Sequence, residues 1–148
     1  MALDFNKFAA KGNQFMKELS KELGCPDDLS KAGRILKAVL HALRNHLTME
    51  ESVQLLAQLP MFLKAVYVEN WSLKKHKKVK HLKDFYQEIR DIEPRTADAD
   101  FPTFDDTSSK VTVVFLILRK FISLGELEDM KSILPKELKG IFNSPVMP

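Results

Sequence analysis

Val111-Thr-Val-Val-Phe-Leu-Ile-Leu118 is the stretch on which the fold turns. Taken alone it reads as a buried strand, because it is short, apolar and rich in β-branched residues. A second stretch lies 75 residues earlier, Leu36-Lys-Ala-Val-Leu-His-Ala-Leu43, and its pattern is helical. There the apolar positions 36, 39, 40, 43 and 47 fall three and four apart and collect on one helix face. Positions 111, 114, 115, 118 and 122 are apolar as well, so both stretches are expected to be helices. The later one is apolar nearly all round and is expected to be the more buried.

The pairing of these two stretches extends in both directions. Residues 35–68 align with 110–143 without a gap, and eight of the 34 positions are identical. The identities are Val39/Val114, Leu43/Leu118, Arg44/Arg119, Glu51/Glu126, Leu59/Leu134, Pro60/Pro135, Leu63/Leu138 and Lys64/Lys139. Upstream, Phe15-Met-Lys-Glu-Leu19 resembles Phe85-Tyr-Gln-Glu-Ile89 at an offset of 70, so the halves differ by five residues in one connection. Self-similarity of this kind is the mark of a duplicated supersecondary unit.

Punctuation agrees. Thr48-Met-Glu-Glu51 and Ser123-Leu-Gly-Glu126 are capping boxes, in which the hydroxyl accepts from the third helical amide and the glutamate reaches back to the cap. Pro60 and Pro135 close the short helices that follow, since proline disfavours helix in the residue before it and tolerates the first turn of the next. Asp105-Asp106-Thr107-Ser108 is a helix N-terminal signal. The resulting expectation is an all-α fold of about eight helices, near 4–23, 29–46, 49–58, 61–69, 80–92, 108–122, 125–133 and 136–143. Residues 1–148 form a single domain in this reading, with repeat one at about 4–69, a basic linker at about 70–80 and repeat two at about 80–143. Short two-turn helices need tertiary packing to persist.

Composition bounds the rest. A chain of 148 residues, 45% hydrophobic and 29% charged, suits one globular domain with a genuine core. The longest apolar run is eight residues, against about 20 for a bilayer span. Met1–Lys11 lacks a basic start followed by an apolar block, so no signal peptide and a cytoplasmic location are expected. The single cysteine, Cys25, excludes an intramolecular disulfide. A net charge of +3 names no partner.

The block from Ala38 through Thr48-Met-Glu-Glu-Ser-Val-Gln-Leu-Leu-Ala-Gln-Leu-Pro60 to Trp71 resembles the bacterial family catalogued as domain of unknown function 2267. Gly125-Glu-Leu-Glu-Asp-Met-Lys-Ser-Ile-Leu-Pro135 is similar to that family's second block. The resemblance covers roughly Phe15 to Phe142 and implies a soluble bacterial protein with a duplicated helical fold. Ala65 departs from the glycine frequent there, and Lys74–Lys83 is more basic than the usual linker. No catalytic residues come with the resemblance, because the family has no established activity.

Two stretches stand out as candidate sites. The first is Met61-Phe62-Leu63 with Val66, Tyr67 and Trp71, a dense apolar and aromatic run in which Phe62, Tyr67 and Trp71 are candidate contacts for a protein partner or a second copy. Such a run equally suits a core. Its counterpart carries Lys136 and Glu137 in place of Met61 and Phe62, so the first helix has something extra to cover. The second is the basic run, where Lys74, Lys75, Lys77, Lys78, Lys80 and Lys83 are candidate contacts for nucleic acid or another anionic surface. It contains no arginine, the better group for bidentate phosphate recognition. Residues 84–106 carry a net −6, which could neutralise it.

Other chemistry is poorly supported. Cys25 precedes a helix but has Asp27 and Asp28 beside it, which oppose a thiolate. His41 and His46, like His76 and His81, are five apart and do not share a face as metal ligands would. No catalytic residues, cofactor or metal ligands are expected from these patterns. The leading expectation is a non-catalytic module binding another protein or itself. The alternatives are an anionic-surface binder and a small-ligand carrier or enzyme using a pocket between the halves.

Overall fold

Leu36, Val39, Leu40, Leu43 and Leu47 are all buried, as are Val111, Val114, Phe115 and Leu118, and both stretches are helical. The computed structural model describes residues 3–72 and 80–142. Among these residues there are nine α-helices: α1 (Phe5–Glu22), α2 (Leu29–Asn45), α3 (Met49–Gln58), α4 (Met61–Val68), α5 (Leu82–Ile92), α6 (Ala97–Asp100), α7 (Phe104–Arg119), α8 (Leu124–Ile133) and α9 (Lys136–Phe142). No strand occurs among them, and no helix is long and apolar enough to cross a membrane. The fold is all-α and packs around one core.

That core has α2 and α7 at its centre. Helix α1 packs on both, and so does α5; α4 lies on α2 and α9 on α7, while α3 and α8 pack on each other. The two similar pentapeptides supply matching anchors, since Phe15 and Leu19 of α1 and Phe85 and Ile89 of α5 are all fully buried. Both capping boxes form. Glu51 N donates to Thr48 Oγ1 at 3.1 Å and Thr48 N to Glu51 Oε1 at 2.8 Å; Ser123 and Glu126 repeat the pattern at 3.1 and 2.9 Å.

Two expectations are corrected. The later stretch is not the more buried: α2 buries a continuous run from Ala38 to Arg44, whereas Thr112 and Val113 of α7 remain half-exposed. Helix α2 is enclosed by α1, α4, α5, α6 and α7, and that enclosure outweighs the higher apolar content of α7. The start of α7 also moves. Its cap is Thr103, which accepts from Asp106 N at 3.0 Å and donates back to the Asp106 carboxylate at 3.0 Å. Asp105 and Asp106 thus lie inside the first turn, where their charge favours the helix dipole.

The gap between the helices expected at 80–92 and 108–122 holds a turn of 3-10 helix (Pro94–Thr96) running into α6. Asp100, 1% exposed, anchors it through a bidentate pair with Arg34 of α2 at 2.9 and 3.0 Å. Lys110 of α7 donates to the Asp100 carbonyl.

Candidate functional site

Helix α4 is where the sequence and the structure must be compared side chain by side chain. Pro60 caps it, and the Pro60 carbonyl accepts from Leu63 N and Lys64 N at 3.0 Å each. With 3.6 residues per turn, positions 63 and 67 share one face and 61, 65 and 68 share the opposite one. Leu63 and Tyr67 accordingly face the core, at 1% and 0% exposure.

Tyr67 is therefore withdrawn from the expected contact surface. Its hydroxyl lies 2.7 Å from Ser52 Oγ of α3, and burial pushes the phenol up to about 12. Phe62 is half-buried, with its ring 5.4 Å from Phe15 and 6.1 Å from Phe121. Helix α1 comes close here: a Cβ on Gly12 would lie 3.2 Å from Phe62 Cβ. Trp71 is half-buried edge-on against Tyr67 at 5.8 Å. The structure brings these three aromatics onto α4 and its exit, where all three contribute contacts that fix the helix.

Arg44 completes that fixation from α2. The side chain is 8% exposed, and its guanidinium donates to the carbonyls of Tyr67, Glu69 and Asn70 at the end of α4 and stands 5.8 Å from the Trp71 ring. Burial pulls Arg44 below its ordinary pKa. One turn earlier, His41 Nε2 lies 2.8 Å from the Val66 carbonyl, and burial lowers this imidazole's pKa. Neutral His41 with the proton on Nε2 donates to that carbonyl.

The outer face of α4 is different. Met61, Lys64, Ala65 and Val68 turn toward Val53, Leu56 and Ala57 of α3 and line an open groove between the two helices. Val53 is 55%, Met61 50% and Val68 43% exposed. Among the described residues, the other large exposed apolar side chains are Leu3, ahead of α1, and the first residues of six helices: Phe5, Leu29, Met49, Leu82, Phe104 and Leu124. A first-turn side chain projects away from the packed body for local reasons. Val53 and Val68 have no such explanation, and both line this groove.

A groove of the same construction lies between α8 and α9. Glu128, Lys131, Ser132 and Lys139 line it, each 75 residues beyond Val53, Leu56, Ala57 and Lys64. It is polar, with Lys131 Nζ 3.5 Å from Glu128 Oε1. The fold thus does not require an apolar lining at these positions. Sequence reasoning overlooked Val53, Leu56, Ala57, Ala65 and Val68. The signal was there: the offset of 75 sets Val53 against Glu128 and Leu56 against Lys131.

Of the basic run, Lys74, Lys75, Lys77 and Lys78 lie outside the described residues, and Lys80 and Lys83 are exposed. Part of the acidic segment is already engaged by arginine. Asp100 pairs with Arg34, Asp98 with Arg90 at 2.7 Å and Glu93 with Arg95 at 2.9 Å. Cys25 is half-buried. No group of three His, Cys, Asp or Glu placed to hold a metal occurs among the described residues. A separate cleft between α1 and the α7–α8 turn has Phe62 and Phe121 among its lining residues, together with Lys11, Glu18 and Lys120.

Fold and surface together define a class: an all-helical protein in which paired short helices enclose an exposed apolar groove. The sequence matches the family described as Uncharacterized conserved protein (DUF2267) over residues 12–141, and the chain belongs to that family. No curated protein matches it.

Proposed function

We propose that the chain is a non-catalytic helical module that binds another protein. The apolar groove carries this reading: it is apolar at positions where the similar construction in the same chain is polar. Exposed contiguous apolar area of this kind marks interaction surfaces in soluble proteins. The packing of α1 and α5 on the same two central helices, with α3 against α8, supports reading the domain as two related halves. Among the described residues, the groove between α3 and α4 is apolar and the one between α8 and α9 is polar. A bacterial, cytoplasmic setting belongs to the same reading.

The test is affinity purification from the native host with and without nuclease, followed by reconstitution of each candidate complex from purified components. The expected result is a protein that survives nuclease and forms a stoichiometric complex with the purified chain. Recovery of nucleic acid that is lost on nuclease treatment, with no protein complex reconstituted, overturns the proposal in favour of the lysine run.

A further inference from the structure

The geometry points to one occupant for the α3–α4 groove: a single amphipathic helix of about two to three turns, donated by another protein and carrying a carboxylate beside its apolar face. This inference rests on the protein-binding reading and adds the site and the partner's chemistry.

Size comes first. Helices α3 and α4 have ten and eight residues. At about 1.5 Å per residue they offer a trough on the order of 12–15 Å long, which eight to ten helical residues would fill. The half-exposed Val53, Met61 and Val68 with Ala57 and Ala65 present only a small apolar patch. A stable dimer covers about 800 Å² on each partner, so this patch is too small to hold a second copy by itself. It matches the two or three aliphatic anchors that a helix places at i, i+3 or i+4, and i+7.

Backbone chemistry narrows the choice further. A β-strand adds to a sheet edge, where unpaired amides and carbonyls wait, but this groove is walled by two helices that use theirs internally. Only side chains are on offer. The alanines at 57 and 65 leave room for the close approach of a helix, while Val53, Met61 and Val68 supply contacts for its anchors. Charge supplies the last feature. Lys64 is half-buried in the groove wall and makes no ion pair among the described residues, whereas its counterpart Lys139 in the polar groove is unpaired but exposed. A carboxylate flanking the anchors would meet Lys64.

The related groove also supplies the control substitutions. Val53→Glu and Met61→Lys install the residues that stand at the corresponding positions of α8 and α9, so both are expected to fold. The probe is a displayed library of 14-residue helix-forming peptides selected against the whole chain. Enriched peptides are expected to share aliphatic residues at i, i+3 or i+4, and i+7 with an adjacent Asp or Glu. Their affinity should fall at least tenfold in Val53→Glu and in Met61→Lys, severalfold in Lys64→Glu, and not at all in Ser132→Glu. Thermal melts of each variant confirm folding.

Failure to enrich any helix over the starting pool overturns the proposal, as does enrichment of basic peptides or binding that Met61→Lys leaves intact. A wild-type dimer in sedimentation that Met61→Lys dissociates would assign the groove to a second copy and also overturn it. A reconstituted protein complex indifferent to these variants removes the helix from this groove but leaves the protein-binding reading standing. Absence of any such complex removes that reading instead.

Discussion

Replacing Arg44 by Met tests whether one buried guanidinium holds the far end of α4. Helix α4 has only eight residues and no side-chain cap at its start. Such a helix does not persist on its own. Its end closes weakly, with Glu69 N reaching Val66 O at 3.4 Å. The Arg44 guanidinium instead takes the carbonyls of Tyr67 and Glu69, with Asn70 at a longer 3.5 Å. Each good hydrogen bond from a charged donor contributes about 1.5–3 kcal/mol, and the bond at the distance limit contributes little. Stacking on Trp71 adds about 0.5–1 kcal/mol. Because the contributions overlap and burying the guanidinium has its own cost, Arg44→Met is expected to lose about 3–5 kcal/mol.

The assay is urea unfolding followed by tryptophan fluorescence and by circular dichroism. Trp71 is the only tryptophan and lies beside the guanidinium, so its emission reports this contact directly. A red shift without urea and an early fluorescence transition are expected in Arg44→Met. Arg44→Lys should recover less than half of the loss, because a single ammonium cannot span the same carbonyls. A cost below about 1 kcal/mol with unchanged Trp71 emission would refute the reasoning, since a buried charged donor would then be dispensable.

Further outcomes follow from other contacts. The phenol of Tyr67, raised to about 12 by burial, favours folding below its unfolded value near 10, and this contribution is lost as pH climbs from there toward 12. Absorbance titration should show a phenolate transition near pH 12 that disappears in Tyr67→Phe, a variant that also leaves Ser52 without its partner at a cost of about 1–3 kcal/mol. Burial pushes the Asp100 carboxyl up, but Arg34, together with the neighbouring Thr96 and Lys31, offsets this and holds it below the usual range. Its stabilisation is therefore present above about pH 4 and lost as pH falls through the depressed folded value. Asp100→Ala should cost about 1–2 kcal/mol at neutral pH, discounted because Arg34 stays more than a third exposed, and less in acid melts. Gly12→Ala should gain nothing in the native chain, where its Cβ meets Phe62 Cβ, but about 1 kcal/mol of helix propensity in a Phe62→Gly background that removes this atom; equal effects in both would show that the close approach is not limiting.

Helix positions were largely legible because spacing reports directly on faces: 36, 39, 40, 43 and 47 are three and four apart and are all buried. The orientation of α4 was legible too, though density of aromatics obscured it. Tyr67 stands four residues after Leu63, which is enough to put it on the core face with that leucine. Local pattern could not reveal α6. Four residues, Ala-Asp-Ala-Asp, carry no helix signal of their own, and what fixes them is an arginine 66 residues away in sequence. The cap of α7 was misplaced because four hydroxyl and carboxyl residues follow one another, and only Thr103 has the extended backbone a cap needs.

The two faces of α4 divide labour in a way that mutation can separate. Phe62 wedged between Phe15 and Phe121, Tyr67 bonded to Ser52, and Trp71 under Arg44 all restrain the helix from its inner side. A groove wall restrained in this manner requires little reordering when a partner arrives, and preorganisation of this kind strengthens binding without adding a contact. Substitutions at Phe62, Tyr67 or Trp71 should therefore weaken binding and stability together, along one line when the two losses are plotted. Val53→Glu and Met61→Lys should fall off that line, with binding lost and melting temperature within a few degrees of the native chain. If all five variants share one line, stability alone governs binding and the outer face has no recognition role of its own.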